Sequence, residues 1–234
     1  MGKLKADIVD TFSSLQGEGV FLEARQIFVR FKDCNLKCVY CDEPRCGRIK
    51  EYTPIELMNE VKYIELAQGP HHSVSLTGGE PLLYAEFLAE FLRMLKRAGL
   101  TTYLETNGTL PRELDKVIGS VDIVAMDIKL PSSTKEKEYW REHLEFLRIA
   151  SWKKVFVKAV VTGNTTKADM KRAVELVKKI KGNIPFVIQP ASAINKDEKE
   201  LADEALMKFM EIGLKHNVEN IRVIPQIHKK MGIK

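Results

Sequence analysis

The chain has 234 residues, 44% of them hydrophobic, and a formal charge of +5 from 37 basic and 32 acidic side chains. That length and apolar fraction suit one domain over residues 1–234, and no apolar run approaches the ~18 residues that would cross a bilayer. The small positive excess is interleaved with Glu at helical spacing, so it reads as a solvated surface with a mild pull on anionic small molecules rather than as a nucleic-acid groove.

The opening MGKLKADIVD has no signal-peptide stretch, and Ala6 stands where a myristoylation signal needs Ser or Thr, so a cytoplasmic protein is expected. Residues 6–25 precede the first repeating unit and are expected to form an N-terminal hairpin or lid. Short apolar runs then alternate with amphipathic stretches. Strands are predicted over 26–31, 73–77, 101–105, 122–128, 154–161, 185–189 and 220–224. These runs are rich in Val, Ile, Phe and Thr and little interrupted by charge, the pattern of strands buried on both faces. Thr53 before Pro54 predicts an N-cap and first turn for a helix to about residue 67. Apolar residues at three- and four-residue spacing predict further helices over 84–98, 134–148, 166–181 and 197–216. Such alternation implies parallel strands joined by right-handed crossovers, and the expected fold is α/β, an incomplete (β/α) barrel of about six parallel strands.

The distinctive motifs share one edge of that fold. A cysteine loop follows the first strand, TGGEP (77–81) the second, ETNGT (105–109) the third and DIKLP (127–131) the fourth. IQPAS (188–192) follows the sixth strand and IPQIHK (224–229) the last. Chemistry gathered at the C-terminal ends of parallel strands marks an active site in such folds.

Three of the four cysteines fall within CNLKCVYC, as Cys34, Cys38 and Cys41. In a cytosolic chain crowded cysteines signal metal or redox chemistry more often than disulfides. A structural zinc site needs four ligands, so a zinc knuckle would have to recruit Cys46 or His71. A cubane iron–sulfur cluster held by three thiolates keeps one iron open, as a catalytic centre requires. On that reading Cys46 is a bystander, since a fourth thiolate would close the open iron. Gly78 and Gly79 would let the backbone approach a ligand, and Glu80 offers a carboxylate or its flanking carbonyls to an ammonium.

The Cys-x3-Cys-x2-Cys spacing resembles that of the radical S-adenosylmethionine superfamily. Further segments resemble one family within it, the 7-carboxy-7-deazaguanine synthases. These are SSLQGEG (13–19), FVR (28–30), CNLKCVYCD (34–42), TGGEPLL (77–83), ETNGT, IQP and the C-terminal IPQIHK. The resemblance runs nearly end to end.

It implies a carbon–nitrogen lyase that converts 6-carboxy-5,6,7,8-tetrahydropterin to 7-carboxy-7-deazaguanine and ammonia, for deazapurine nucleosides of tRNA such as queuosine or archaeosine. It implies a [4Fe–4S] cluster on Cys34, Cys38 and Cys41, S-adenosylmethionine and magnesium, with the radical rather than a side chain as catalyst. The cofactor positions implied are Tyr40, Cys41, Asp42, Gly78, Gly79, Glu80, Asp127, Ile128, Lys129, Gln189 and Pro190. The substrate positions are Leu15, Gln16, Gly17, Arg30, Thr77 and His228, with Arg30 gripping the carboxylate in a fork. An electron donor such as flavodoxin or ferredoxin and a homodimer are the expected partners, with no nucleic acid and no membrane.

Three positions depart from the family's commoner pattern. Glu43 stands where many members have a magnesium-contacting Thr, Tyr84 where many have Gln, and Asp33 where many have Gly. Two other readings remain open: an activating enzyme for a glycyl-radical protein, which needs neither SLQGEG nor PQIHK, and a non-catalytic iron–sulfur or zinc protein.

Overall fold

Alternation along the strands produces a sheet with two unlike faces. In the computed structural model, which describes residues 4–42, 49–180, 183–192, 201–227, 229 and 232, nine strands form one sheet. They are β1 (Ala6–Leu15), β2 (Arg25–Phe31), β3 (Lys50–Tyr52), β4 (Ser73–Gly78), β5 (Thr102–Thr106), β6 (Ile123–Asp127), β7 (Lys154–Val161), β8 (Phe186–Pro190) and β9 (Ile221–Val223). Their order is β3-β1-β2-β4-β5-β6-β7-β8-β9. All neighbours from β2 to β9 are parallel, while β1 pairs antiparallel with both β2 and β3.

The seven parallel strands include all those predicted, each within a residue or two; the short β9 completes an arc expected to hold about six. The N-terminal segment supplies β1, which runs back along β2 as a hairpin.

One face of the sheet is covered by helices. These are α1 (Pro54–Gln68), α2 (Ala85–Arg97), α3 (Pro111–Val117), α4 (Pro131–Thr134), α5 (Trp140–Ala150), α6 (Lys167–Lys178) and α7 (Asp203–Lys215). Alternate strand residues such as Val29, Leu76, Leu104, Val124 and Val157 are 0% exposed beneath them and form the main core. The intervening residues face the concave side. There Tyr103, Ile123, Ala125, Phe156 and Val187, from four successive strands, pack on Val20, Phe21 and Leu22. A single segment can touch four neighbouring strands only if the sheet curls around it. That segment closes the N-terminal end of the arc and leaves the C-terminal end open. Gly19 at its start has φ 67°, and a Cβ there would stand 2.6 Å from the Phe156 ring.

Local chemistry explains where the helices start. Thr53 accepts from the Glu56 N–H while the Glu56 carboxylate accepts from the Thr53 N–H at 2.8 Å, a full capping box. Glu80 accepts from the Leu82 N–H at 3.1 Å and starts a 3-10 turn over Pro81–Tyr84, so α2 begins at Ala85. The helix predicted over 134–148 is interrupted instead. α4 ends where Lys135 takes φ 63°, and α5 starts only at Trp140. β3 and α3 lie below the length that periodicity resolves and were not predicted. In the predicted helix over 197–216, residues 203–215 form α7, and residues 193–200 lie outside those described.

Candidate active site

The concave face turns polar toward the C-terminal ends of the strands. Arg30 of β2 is in register with Thr77 of β4, and the Thr77 hydroxyl donates to Glu105 Oε2 of β5 at 3.3 Å. The same carboxylate accepts from Ser75 Oγ at 3.1 Å and from Gln16 Nε2 at 2.8 Å. Arg30 and Glu105 therefore present a cation and an anion on either side of Thr77. Phe12 stacks on Phe28 at 5.3 Å, and the Arg30 guanidinium lies 5.1 Å from the Phe12 ring centre, adding an aromatic wall.

A second polar layer follows on β6–β8. Lys129 donates to Asp127 at 2.9 Å, Lys158 lies 4.0 Å from Asp127, and Lys158 pairs with Glu18. Burial would raise the Glu18 carboxyl, but Lys158, Gln226 and Gln189 outweigh it and hold the group at about 2. Gln226 Nε2 also donates to Asp42 at 3.0 Å, Lys229 pairs with Asp42, and the Ile227 N–H donates to the Gly17 carbonyl. The C-terminal segment is thus tied to both the SLQGEG loop and the residue after Cys41.

Cys34, Cys38 and Cys41 line this cleft and form no disulfide. Burial pushes the Cys38 thiol up to about 11, with Asp127 and the other two thiols adding to that and Lys129 opposing. Three loops hold the cysteine loop. Glu80 N–H and Gly79 N–H donate to the Asp33 and Phe31 carbonyls at 2.7 and 2.8 Å. Asn107 Nδ2 donates to Asn35 Oδ1 at 2.8 Å and Asn35 Nδ2 donates to Thr109 Oγ1 at 2.9 Å. On the outer side, Thr134 and Glu136 accept from Val39 N–H and Lys37 N–H.

Among the described residues no three His, Cys, Asp or Glu side chains converge as a single ion would need. A cubane asks for something else, one thiolate at each of three irons, and a compact loop of three thiols outside any disulfide suits it. His71 is committed elsewhere, to Glu65 at 2.5 Å and Ser13 at 2.7 Å, ahead of the N-terminal end of β4. It stands at the opposite strand end from the cysteines, so it does not complete a zinc knuckle. S-adenosylmethionine also fits what is present. The buried Asp127 Oδ1 and Gln189 Oε1 border the cleft without a protein donor, and the ligand brings an ammonium and hydroxyls.

Most positions implied by the resemblance meet here: Leu15, Gln16, Gly17, Arg30, Tyr40, Asp42, Thr77, Gly78, Gly79, Asp127, Lys129 and Gln189 all line the cleft. Several are placed otherwise. Glu80 is 0% exposed and its carboxylate accepts from Thr106 Oγ1 (2.9 and 3.0 Å) and the Asn107 N–H (2.8 Å). It binds two loops together instead of lining the cleft. Ile128 is 0% exposed in the main core, and Pro190 does not line the cleft either. Gly79 lines the cleft and also serves contact between loops, since a Cβ on it would stand 2.0 Å from the Asp33 carbonyl oxygen. The Gln16 amide is spent on Gln26 and Glu105, with its oxygen accepting from Glu18 N–H, so only its position remains to support a ligand. Glu43, Cys46 and His228 lie outside the described residues.

Two departures explain each other: Tyr84 Oη donates to Asp33 Oδ2 at 2.7 Å. Glu18, Glu105, Asn107 and Gln226 lie inside motifs read from the sequence but were not singled out there, nor was Lys158. Lys158 did carry a signal, as the one charge inside the apolar run VFVKAVV.

The model of the Radical SAM superfamily matches residues 28–156. A 7-carboxy-7-deazaguanine synthase of Geobacter sulfurreducens is 36% identical, with 99% of each chain covered. One from Methanothermobacter thermautotrophicus is 33% identical, again over 99% of each. Among solved structures, QueE from Escherichia coli superposes with a TM-score of 0.63 at 18% identity, over 96% of this chain and 95% of that one. A radical SAM methyltransferase from Sphaerobacter thermophilus reaches 0.65 at 14% identity, over 86% and 66%. These superpositions show a shared fold.

Proposed function

The chain belongs to the 7-carboxy-7-deazaguanine synthases of the radical S-adenosylmethionine superfamily, and from that membership we propose that its cleft takes 6-carboxy-5,6,7,8-tetrahydropterin. Its chemistry is the lyase chemistry of that family, a radical ring contraction in 7-deazapurine synthesis. The observation that carries the substrate reading is the row Arg30–Thr77–Glu105 beside the Phe12–Phe28 stack. A pterin is flat, bears N–H donors along one edge and here carries a carboxylate; a guanidinium, a carboxylate and an aromatic wall complement those three features.

Arg30 is assigned the substrate carboxylate. Glu105 is assigned the donor edge, because Gln16, Ser75 and Thr77 hold it as an oriented acceptor. Leu15, Gln16, Gly17 and His228 complete the substrate side. Cys34, Cys38 and Cys41 are assigned the cluster, while Tyr40, Gly78, Asp127, Lys129 and Gln189 are assigned S-adenosylmethionine. Bound there, cluster and cofactor would supply the radical chemistry that the ring contraction needs. The protein's work is to hold C6 against that source and to keep water out. Lys158 and Glu18 neutralise each other in the cleft wall, so neither brings a bare charge to the reaction.

Magnesium has no preformed cage among the described residues. The proposal keeps it as an ion completed by the substrate carboxylate, with Glu43 as its protein ligand. A one-electron carrier such as flavodoxin or ferredoxin would feed the cluster. We read residues 1–234 as one cytoplasmic domain that pairs as a homodimer. The α1 face bearing Ile55, Tyr63 and Leu66, 61, 72 and 88% exposed, offers a surface for a second copy.

The test is anaerobic turnover with the pterin, S-adenosylmethionine, magnesium and dithionite. The expected result is 7-carboxy-7-deazaguanine and one ammonia per pterin. Cleavage of S-adenosylmethionine with the pterin unchanged would refute the substrate and revive the activating-enzyme reading.

A further inference from the structure

The segment between α4 and α5 breaks what the amino-acid pattern reads as one helix, and its residues turn to the cysteine loop. Lys135 sits in the left-handed region at φ 63° and ends α4. The Thr134 carbonyl then accepts from the Val39 N–H at 3.1 Å, and Glu136 Oε1 accepts from the Lys37 N–H at 2.6 Å. Lys37 and Val39 flank Cys38 on either side.

Glu136 is more than a surface acid that touches a loop. Its own N–H donates to Thr134 Oγ1 at 3.1 Å, which fixes the backbone that carries it. The phenol of Tyr139, farther along the segment, is pushed upward by burial first, then by the charges of Glu136 and Glu142, and last by Cys38 and Cys34. A carboxylate is therefore anchored at the rim of the three thiols, through a main-chain donor one residue from the middle one.

We propose that Glu136 positions the Lys37–Cys38 turn and lowers the reduction potential of the cluster that Cys34, Cys38 and Cys41 would hold. Reduction adds one electron, supplied by an external one-electron donor, with no bond made or broken at Glu136. The site gains one negative charge, and a fixed carboxylate nearby makes that gain less favourable. The Lys37 N–H is also drawn outward to Glu136 rather than toward a cluster sulfur, and donors to sulfur are the other lever on potential. Glu136 is half-buried, so salt should weaken its influence. The proposal rests on the family's cluster and not on the identity of the substrate.

The experiment compares wild type, Glu136→Gln and Glu136→Ala after anaerobic reconstitution, by iron content and by potentiometric titration followed with electron paramagnetic resonance. Neither S-adenosylmethionine nor pterin is present. Gln keeps the size and the acceptor oxygen but removes the charge. Its iron content should match wild type while its midpoint potential rises, the rise shrinking as salt is added. Ala should raise the potential too and load iron more slowly, having lost the brace. A Gln variant with the wild-type potential at low salt overturns the proposal, as does a Gln variant that fails to hold iron. Failure of the pterin reading would appear elsewhere, as normal potentials without product.

Discussion

Arg30 and Glu105 divide the proposed substrate between a cation and an anion, so their variants should fail alike on pterin and spare the cofactor. Arg30→Lys loses the two-pronged geometry, and Glu105→Gln loses the charge that Gln16, Ser75 and Thr77 orient. Each is expected to raise the pterin KM at least tenfold, ~1.4 kcal/mol in binding, while uncoupled release of 5′-deoxyadenosine continues. Loss of that release in either variant would place the residue in cofactor or structural work.

Glu43 is expected to lower the magnesium requirement, since a carboxylate is a harder anionic ligand than a Thr hydroxyl. Half-saturating magnesium should rise in Glu43→Gln and Glu43→Thr, and superimposable titrations would remove Glu43 from the metal.

Glu80 and His143 are buried and carry opposite pH dependences. Burial raises Glu80 to about 7 from an ordinary 4.5, against the pull of its N–H and hydroxyl donors. The folded state then binds more protons than the unfolded one between those values, so stability is lost as pH rises from 4.5 to 7. Burial lowers His143 to about 4 from 6.5, so its share is lost as pH falls from 6.5 to 4. Each is worth on the order of 3 kcal/mol, and in wild type they largely cancel. Glu80→Gln should uncover the His143 slope: urea denaturation of the apoprotein should show higher stability at pH 7 than at pH 5. The same profile in both proteins would contradict the burial reading.

Among the elements, the loops after β2, β4 and β5 act as one unit, because each is hydrogen-bonded to the other two. The Gly79–Glu80 amides reach Phe31 and Asp33, Glu80 reaches Thr106 and Asn107, and Asn107 returns to Asn35. The closest approach is at Gly79, where an added Cβ would meet the Asp33 carbonyl oxygen at 2.0 Å. Backbone has little room to yield, so Gly79→Ala should cost about 2 kcal/mol or more. It should also lower iron loading, because the displaced residue sits beside Cys34. Chemical denaturation and iron analysis would show both; an Ala variant with full stability and full iron would mean that the loops move freely.

A different series of contacts, Ser13–His71–Glu65, has the spacing of a nucleophile, base and orienter but does not line the active-site cleft. It pins β1 to α1 and so fixes the strand that ends in the SLQGEG loop.

Across the whole molecule, the buried charges join segments that are far apart in sequence. Glu18 meets Lys158 of β7, Gln226 bridges Glu18 to Asp42, and Asp127 lies between Lys158 and Lys129. Lys158→Met should leave Glu18 buried beside an apolar chain and cost about 3–5 kcal/mol. Adding Glu18→Gln should recover part of that loss, since no unpaired charge remains. A double variant no more stable than Lys158→Met alone would show that the pair does not act as a unit.

The amino-acid sequence alone determined the strand–helix alternation, the edge at which chemistry gathers, the three thiols and the family. Those follow from local rules: β-branched runs, caps such as Thr53, and motifs whose members are close in sequence. Only the tertiary structure decided which side chains of a motif reach the cleft. The Glu80 carboxylate is a brace because its neighbours Thr106 and Asn107 arrive from another strand. The helix predicted through residue 135 is interrupted where the cysteine loop, up to 99 positions away, donates its Val39 and Lys37 N–H groups to Thr134 and Glu136. Tyr84 and Asp33, read separately as departures, are partners across a 2.7 Å hydrogen bond. Each of these outcomes depends on groups distant in sequence competing for the same donors and acceptors. Periodicity and spacing carry no record of that competition.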